Sequence, residues 1–197
     1  MPADTVIQND GPESHYIGTL WPESSTAPDA LRYANQTSWP HSAWQSVIAS
    51  FIPAYKAGLP ASSMTPPSGT LAVGSMWYKT ILQSSVCPVP DSTYYYNKPA
   101  GFSTGRDNLN WAIVLAGSAT GAGMQLRAVS NGVVLTTVPV TAGLNYGAAG
   151  PVQPGPQRVE LVDRNGNVVR TARSGINVSG GCPDGIYNFN YQVSGFV

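Results

Sequence analysis

The sequence predicts a mainly β protein, in which a C-terminal antiparallel β-sandwich is preceded by a βα fragment of a (β/α)8 barrel. Its 197 residues leave room for one large domain or two modest ones. From about residue 70 onwards, short apolar segments alternate with Gly, Pro and Asn turns, which is typical of a sandwich. Before them the chain reads as one strand, one polar loop and one amphipathic helix.

The first predicted element is a short strand at residues 5–8 that leads into the loop NDGPESHYIG, residues 9–18. In (β/α) barrels, side chains at the carboxyl ends of the strands form the active site. Asp10 and Glu13 follow the strand at such an end. A strand, a loop and one helix cannot bury both of their faces alone, so we expect this unit to be one βα repeat of a larger barrel.

One amphipathic helix is predicted between residues 42 and 58. Ser38 or Ser42 is expected to cap its start, Lys56 and Gly58 suit its end, and Pro53 should bend its last turn. The residues that predict it are apolar and recur at helical spacing: Trp44, Val47, Ile48, Phe51, Ile52 and Tyr55.

The predicted domain organisation is a barrel fragment over residues 1–60, a Pro/Ser/Gly linker over 61–69 and the sandwich over 70–197. The turns SNG and DRNGN favour hairpins, because Asn-Gly readily adopts positive φ. Trp77, Tyr78 and Trp111 are expected in the sandwich core. The predicted strands cover residues 75–83, 109–116, 124–130, 133–138, 157–162, 168–173 and 187–193.

Charged residues are scarce and balanced, with 10 Lys plus Arg and 10 Asp plus Glu. Such a chain lacks the basic field that attracts a phosphate backbone, so nucleic acid is an unsuitable partner. A neutral polysaccharide suits its surface better. No apolar run approaches the roughly 18 residues that a membrane span needs, so no membrane is expected.

The composition also favours secretion. Two glycosylation sequons begin at Asn35 and Asn177. The first ten residues lack the basic and apolar regions of a signal peptide, so we expect a preceding segment. The two cysteines, Cys87 and Cys182, predict either one disulfide in an oxidising compartment or two unrelated buried thiols. They are too few for a zinc site, and no ligand spacing adds His15 or His41 to them, so no metal is expected.

Several strings together resemble the C-terminal portion of glycoside hydrolase family 71, whose members are mostly fungal secreted endo-1,3-α-glucanases, or mutanases. These strings are NDGPESHYIG, HSAWQSVIASFIPAYKAG, DNLNWAIVLA and CPDGIYNFNYQVSG. The resemblance implies a barrel followed by a sandwich, hydrolysis of α-1,3-glucan in cell walls or biofilms, and no cofactor. The chain departs from the family pattern at Gln8, where a Trp is usual, and at Gly11 and Pro12, where an aromatic residue and a Gly are usual.

Within this resemblance, Glu13 and Asp10 are the candidate catalytic or substrate-contacting carboxylates. Alternatively, Asp10 caps a turn and Glu13 pairs with Arg32 or Lys56. We expect at least one catalytic carboxylate on an earlier barrel strand, so the piece should be inactive alone. The candidate substrate-binding residues are Asn9, His15, Tyr16 and Trp21.

Other functions remain open at this point. The chain is alternatively a non-catalytic glycan-binding or structural β-sandwich, or a small enzyme that uses Asp10 and Glu13 as its own pair. The apolar helix stripe is also expected to lie partly exposed at the barrel edge. Exposed apolar area of that kind predicts self-association.

Overall fold

The computed structural model describes residue 17 and residues 38–87, 105–183 and 185–197. These residues include one α-helix, α1 (Trp44–Lys56), and two short 3-10 helices, Ala61–Ser63 and Gly117–Ala122. The strands are β1 (Ala72–Lys79), β2 (Leu109–Leu115), β3 (Gln125–Ser130), β4 (Val133–Pro139), β5 (Gly143–Ala149), β6 (Gln157–Val162), β7 (Val168–Arg173) and β8 (Tyr191–Gly195).

The strands form two four-stranded antiparallel sheets, in the orders β5-β2-β1-β8 and β4-β3-β6-β7. Side chains from both sheets make one buried cluster, in which Met76 and Ile113 of the first sheet join Leu126 and Leu161 of the second. In β2 the inward residues recur with the period of two that a strand requires. This arrangement confirms the mainly β class and the antiparallel sandwich.

The first sheet is also covered on its outer face, by α1. Ser75, on β1, is fully buried and donates a hydrogen bond from Oγ to the Ala43 carbonyl at 2.6 Å. The residues of α1 that are buried are small, Ser50 and Ala54. Ala54 packs with Met64 and with Val114 of β2. Small side chains let the helix lie close to the sheet, so α1 adds a third layer.

Two large apolar residues of α1, Phe51 and Tyr55, point away from the sheet. Phe51 is 48% exposed and Tyr55 66% exposed, with their rings stacked 5.5 Å apart. The predicted serine cap is wrong, since the N-cap is Ala43 and no side chain caps the helix. The C-terminal end of α1 agrees with the prediction, because Lys56 is the last helical residue and Gly58 has a φ of 64°.

Three strand predictions need correction. Strand β5 was not predicted, and the strands expected at 75–83 and 187–193 are β1 and β8, each displaced along the chain.

Trp77 is not in the sandwich core, because it lies half-buried on the outer face and packs edge-on against Trp44 at 6.0 Å. Tyr78 and Trp111 are core residues as predicted.

The two sheets are connected by backbone hydrogen bonds at one side of the sandwich and, within the described residues, not at the other. At one side the chain end after β8 pairs with β7, through backbone hydrogen bonds of 3.0 Å in both directions between Thr171 and Val197. At the other side β4 and β5 are the edge strands of their separate sheets. The sandwich is therefore joined along β7 and β8, while β4 and β5 leave a groove between the sheets.

An ion-pair cluster lies on the outer face of the second sheet. The Glu160 side chain, only 7% exposed, accepts hydrogen bonds from Nε of Arg127 and Nε of Arg158, both at 2.7 Å. Burial raises the pKa of the Glu160 carboxyl, but the hydrogen bonds and charges of the two arginines outweigh it, so the pKa lies below its usual value.

We expect Glu160→Gln to lower the free energy of unfolding at neutral pH by about 1–3 kcal/mol, because the Gln amide can accept only one of the two arginine hydrogen bonds and removes the counter-charge of both arginines. A depressed folded-state pKa stabilises the protein above the unfolded-state pKa, and this stabilisation is lost as pH falls through the folded-state pKa. The difference between the variant and the native chain should therefore shrink towards about pH 3 in urea unfolding curves. A difference that stays constant over this range would contradict the assignment.

One disulfide, Cys87–Cys182, joins the loop after β1 to the loop before β8, with 5.4 Å between the Cα atoms. The structure thus decides between the two alternatives that the sequence left open. The bond spans 95 residues, so it restricts the unfolded chain strongly.

Replacing both Cys87 and Cys182 by Ala should lower the free energy of unfolding by about 2–5 kcal/mol. Urea denaturation of the variant, compared with the native chain before and after reduction, measures this loss. Reduced native protein and the double variant should have the same midpoint. Equal midpoints for oxidised and reduced native protein would show that the bond contributes nothing.

Candidate functional site

Most of the site residues predicted from the sequence lie outside the described residues. Their catalytic, substrate-binding and glycosylation roles therefore remain predictions. These residues are Asn9, Asp10, Glu13, His15, Tyr16, Trp21 and Asn35.

The chain that follows this segment is fixed to the sandwich. His41 is fully buried, and its Nε2 lies 3.0 Å from the Tyr191 carbonyl oxygen of β8. A carbonyl oxygen only accepts, so Nε2 carries the hydrogen. The His41 ring also packs on Trp44 with 4.7 Å between centroids. Residues 38–44 are thus anchored on the first sheet.

Trp39 lies beside a cavity of about 170 Å³ at this position. It is buried, so it packs in the interior and is not an open platform for a sugar ring. The cavity has polar groups from Ser38, Thr80 and Asn188. Asn177 also lines it and is solvent-exposed, which makes this sequon accessible to the glycosylation machinery.

The carboxylates that the structure describes are all engaged in structural contacts. Besides Glu160, Asp107 accepts hydrogen bonds at 3.0 and 3.1 Å from the backbone N–H of Gln83. Asp163 accepts from the backbone N–H groups of Asn165 and Asn167 in the β6–β7 turn. Hydrogen bonds, first of all from Asn167, hold the pKa of Asp163 below its usual value.

These three carboxylates do not suit the acid that glycosidic hydrolysis requires. An acid that protonates a leaving group at neutral pH needs a raised pKa. Neither Glu160 nor Asp163 meets that need, and Asp107 is held against the backbone of Gln83. Within the described part of the chain, the sandwich therefore offers no acid and base pair.

Lys79 lies at the end of β1, near Asp107 and 5.7 Å from the ring centre of Tyr191. Burial lowers the pKa of the Lys79 ammonium, and the charge of Asp107 opposes this effect. These contacts hold the end of β1 next to Tyr191, whose carbonyl oxygen binds His41.

Across residues 38–87, 105–183 and 185–197, no group of three or more His, Cys, Asp or Glu side chains is arranged to hold a metal ion. Among the same residues no helix has the length and hydropathy to cross a bilayer.

The sequence model of glycosyl hydrolase family 71 matches residues 4–197, which is essentially the whole chain. The chain belongs to glycosyl hydrolase family 71. Comparison with curated proteins and with solved structures gave no match. Family membership confirms the resemblance carried by the sequence strings and makes a polysaccharide the general class of substrate.

The family 71 sandwich contains one feature that sequence reasoning missed, the groove beside β5. Strand β5 reads GLNYGAA, in which two Gly and two Ala residues conceal any apolar alternation. The usable signal was its position directly after β4, separated by the three residues 140–142. Such a short connection favours a neighbouring strand.

Proposed function

We propose that the chain is the C-terminal part of a secreted endo-1,3-α-glucanase that hydrolyses α-1,3-glucan, and that this part is inactive by itself. The observation that carries the proposal is the family 71 match over residues 4–197. It includes the loop with Asp10 and Glu13, whereas Asp107 and Glu160 of the described sandwich are held in structural contacts.

Hydrolysis of a glycosidic bond needs two carboxyl groups, about 5–5.5 Å apart in a retaining enzyme and about 6.5–9.5 Å apart in an inverting one. We assign Glu13 or Asp10 to one of these positions and the other position to an earlier barrel strand. Asn9, His15, Tyr16 and Trp21 then contact sugar hydroxyls and ring faces around the scissile bond.

The helix supports the idea that residues 1–60 form part of a larger barrel. One face of α1 lies on the sandwich, while Phe51, Ile52 and Tyr55 on another face are exposed in the described part of the chain. A helix that is apolar on two faces suits a position between two packed units. The expected unit on the uncovered side is the barrel.

Extracellular location is supported by the Cys87–Cys182 disulfide, since such bonds persist in oxidising compartments. The low charge content and the exposed sequon at Asn177 agree with secretion. We propose glycosylation at Asn35 and Asn177.

In a longer enzyme that contains this segment, Glu13→Gln should lower kcat on α-1,3-glucan by about 10²–10⁴-fold, because the amide can neither donate nor accept the proton. Release of reducing sugar from insoluble α-1,3-glucan measures the loss. Glu23→Gln is the matched control and should retain activity. The 197-residue chain alone should release no sugar. Release by that chain which Glu13→Gln abolishes would overturn its proposed inactivity.

The second candidate function is a non-catalytic glycan-binding or structural sandwich. It is favoured by the engagement of Glu160, Asp107 and Asp163 in structural contacts, which leaves the sandwich without catalytic carboxylates in its described part. Retention of the chain on insoluble α-1,3-glucan, with Glu13→Gln neutral in the longer enzyme, would favour this candidate over the first.

The uncovered face of α1 should also make this chain self-associate, because exposed apolar area favours burial against a second copy. The double variant Phe51→Gln, Tyr55→Gln should weaken association in sedimentation velocity experiments. Val133→Gln is the matched control, since Val133 is an exposed apolar residue on β4, away from the helix. A native chain that stays monomeric at all concentrations would contradict this expectation.

A further inference from the structure

The cavity beside Trp39, of about 170 Å³, is lined by residues 38–39, by the chain just after β1 and by the stretch between β7 and β8. Thr80 and Ile186 in its lining are buried, whereas Asn177 and Pro183 are exposed, so the cavity opens to solvent at an exposed rim. A cavity of about 150 Å³ admits benzene, so this one has room for one six-membered ring. We name it the Trp39 cavity.

The walls of the Trp39 cavity are held together by the backbone and by the disulfide. Ser179 donates its backbone N–H to the Thr80 carbonyl at 2.7 Å and accepts from the N–H of Leu82 at 3.2 Å. The Cys87–Cys182 bond fixes the chain directly before Pro183. These contacts form the cavity in advance, which lowers the ordering cost that a ligand would have to offset.

Two buried polar groups of the cavity have no hydrogen-bond partner within the described residues. Thr80 is 4% exposed, and its hydroxyl makes no hydrogen bond there. Asn188 is 5% exposed, and its Oδ1 accepts from the backbone N–H of Asn190 at 2.8 Å, which leaves its Nδ2 without an acceptor in the same part of the chain. Both atoms remain accessible to solvent, and both residues line the cavity, so the two groups face it. A ligand that pairs with them removes the cost of leaving them unsatisfied.

The chemistry of the lining suits a neutral ligand. None of the described residues that line the cavity is charged, and an ion buried there would lack a counter-charge. The polar groups are hydroxyls and amides, while Trp39 and Ile186 provide apolar surface. A ring with C–H faces and hydroxyl groups matches both kinds of surface, because the C–H groups pack on apolar side chains and the hydroxyls both donate and accept.

We propose that the Trp39 cavity binds one neutral sugar ring, with Trp39 and Ile186 against the ring and with Thr80 and Asn188 at its hydroxyl groups. The proposal rests on the proposed function for the class of ligand, since a glucanase acts on a neutral, hydroxyl-rich polymer. The ring belongs either to the residue at the end of a glucan chain or to the first sugar attached to Asn177, which present the same chemistry. The cavity holds the sugar without proton transfer, because its described lining has no titratable side chain.

NMR titration with an α-1,3-linked glucose disaccharide tests the cavity in the 197-residue chain, produced in a bacterial host and therefore without N-glycans. The Trp39 indole N–H signal should shift and saturate. Thr80→Val should weaken binding by about twofold to tenfold, because it removes one neutral hydrogen bond with little change in side-chain shape. Thr171→Val is the matched control and should bind like the native chain, since the Thr171 hydroxyl is also buried without a partner but lies on β7, outside the cavity.

Thermal denaturation verifies that the fold is retained. Thr80→Val should not lower the unfolding midpoint, because the hydroxyl that it removes has no partner in the described part of the chain. Thr80→Ser keeps the hydroxyl and should bind like the native chain. The proposal is overturned if the disaccharide does not shift the Trp39 signal, if Thr80→Val binds like the native chain, or if Thr171→Val weakens binding equally.

Protein secreted from a eukaryotic host separates the two sources of the sugar. If the sugar attached to Asn177 fills the cavity, this protein should not bind the disaccharide, whereas Asn177→Gln from the same host should bind it. If a glucan end is the ligand, both should bind. Failure of the cavity is distinct from failure of the proposed function. Absent binding leaves the effect of Glu13→Gln on kcat in the longer enzyme unchanged, while binding with no effect of Glu13→Gln contradicts only the catalytic assignment.

Discussion

Burial of both faces of the first sheet is the constraint on which the rest of the structure depends. On the inner face, Met76 and Tyr78 of β1 are fully buried in the sandwich core. On the outer face, Ser75 is equally buried beneath Ala43. Antiparallel sheets commonly leave one face to solvent. The outer face of this sheet is buried instead, so it needs a covering layer. The helix α1 supplies it, and the short segment before α1 is fixed along with it.

This constraint also explains why the helix carries apolar residues on more than one face. A close approach to β1 and β2 requires small residues such as Ser50 and Ala54 at the contact. The bulky residues Phe51 and Tyr55 then have no place on the sandwich. They are not needed to hold the helix on the sheet, which agrees with the proposal that a second unit packs on this face of α1.

The fold was largely predictable because its central strands have strong local signals. In β2, β3 and β6, apolar residues alternate clearly, and the Asn-Gly turn after β3 sets the hairpin to β4. Strand β5 was not predictable from its own residues, since its stability comes from pairing with β2 along all seven of its positions. The position of Trp77 depended on α1 packing on the sheet, which periodicity within one strand cannot reveal.

The candidate site rests on sequence strings and not on periodicity, and it stays a prediction. The carboxylates of the N-terminal loop were identified by residue type and family resemblance, whereas the groove depends on two strand edges that only the fold brings together. In a chain with so few charges, each described carboxylate stabilises a turn, a loop or a sheet face. Within the described residues the carboxylates therefore support the structure, because each is held by arginines or backbone N–H groups. The chemistry proposed for the N-terminal loop does not depend on them.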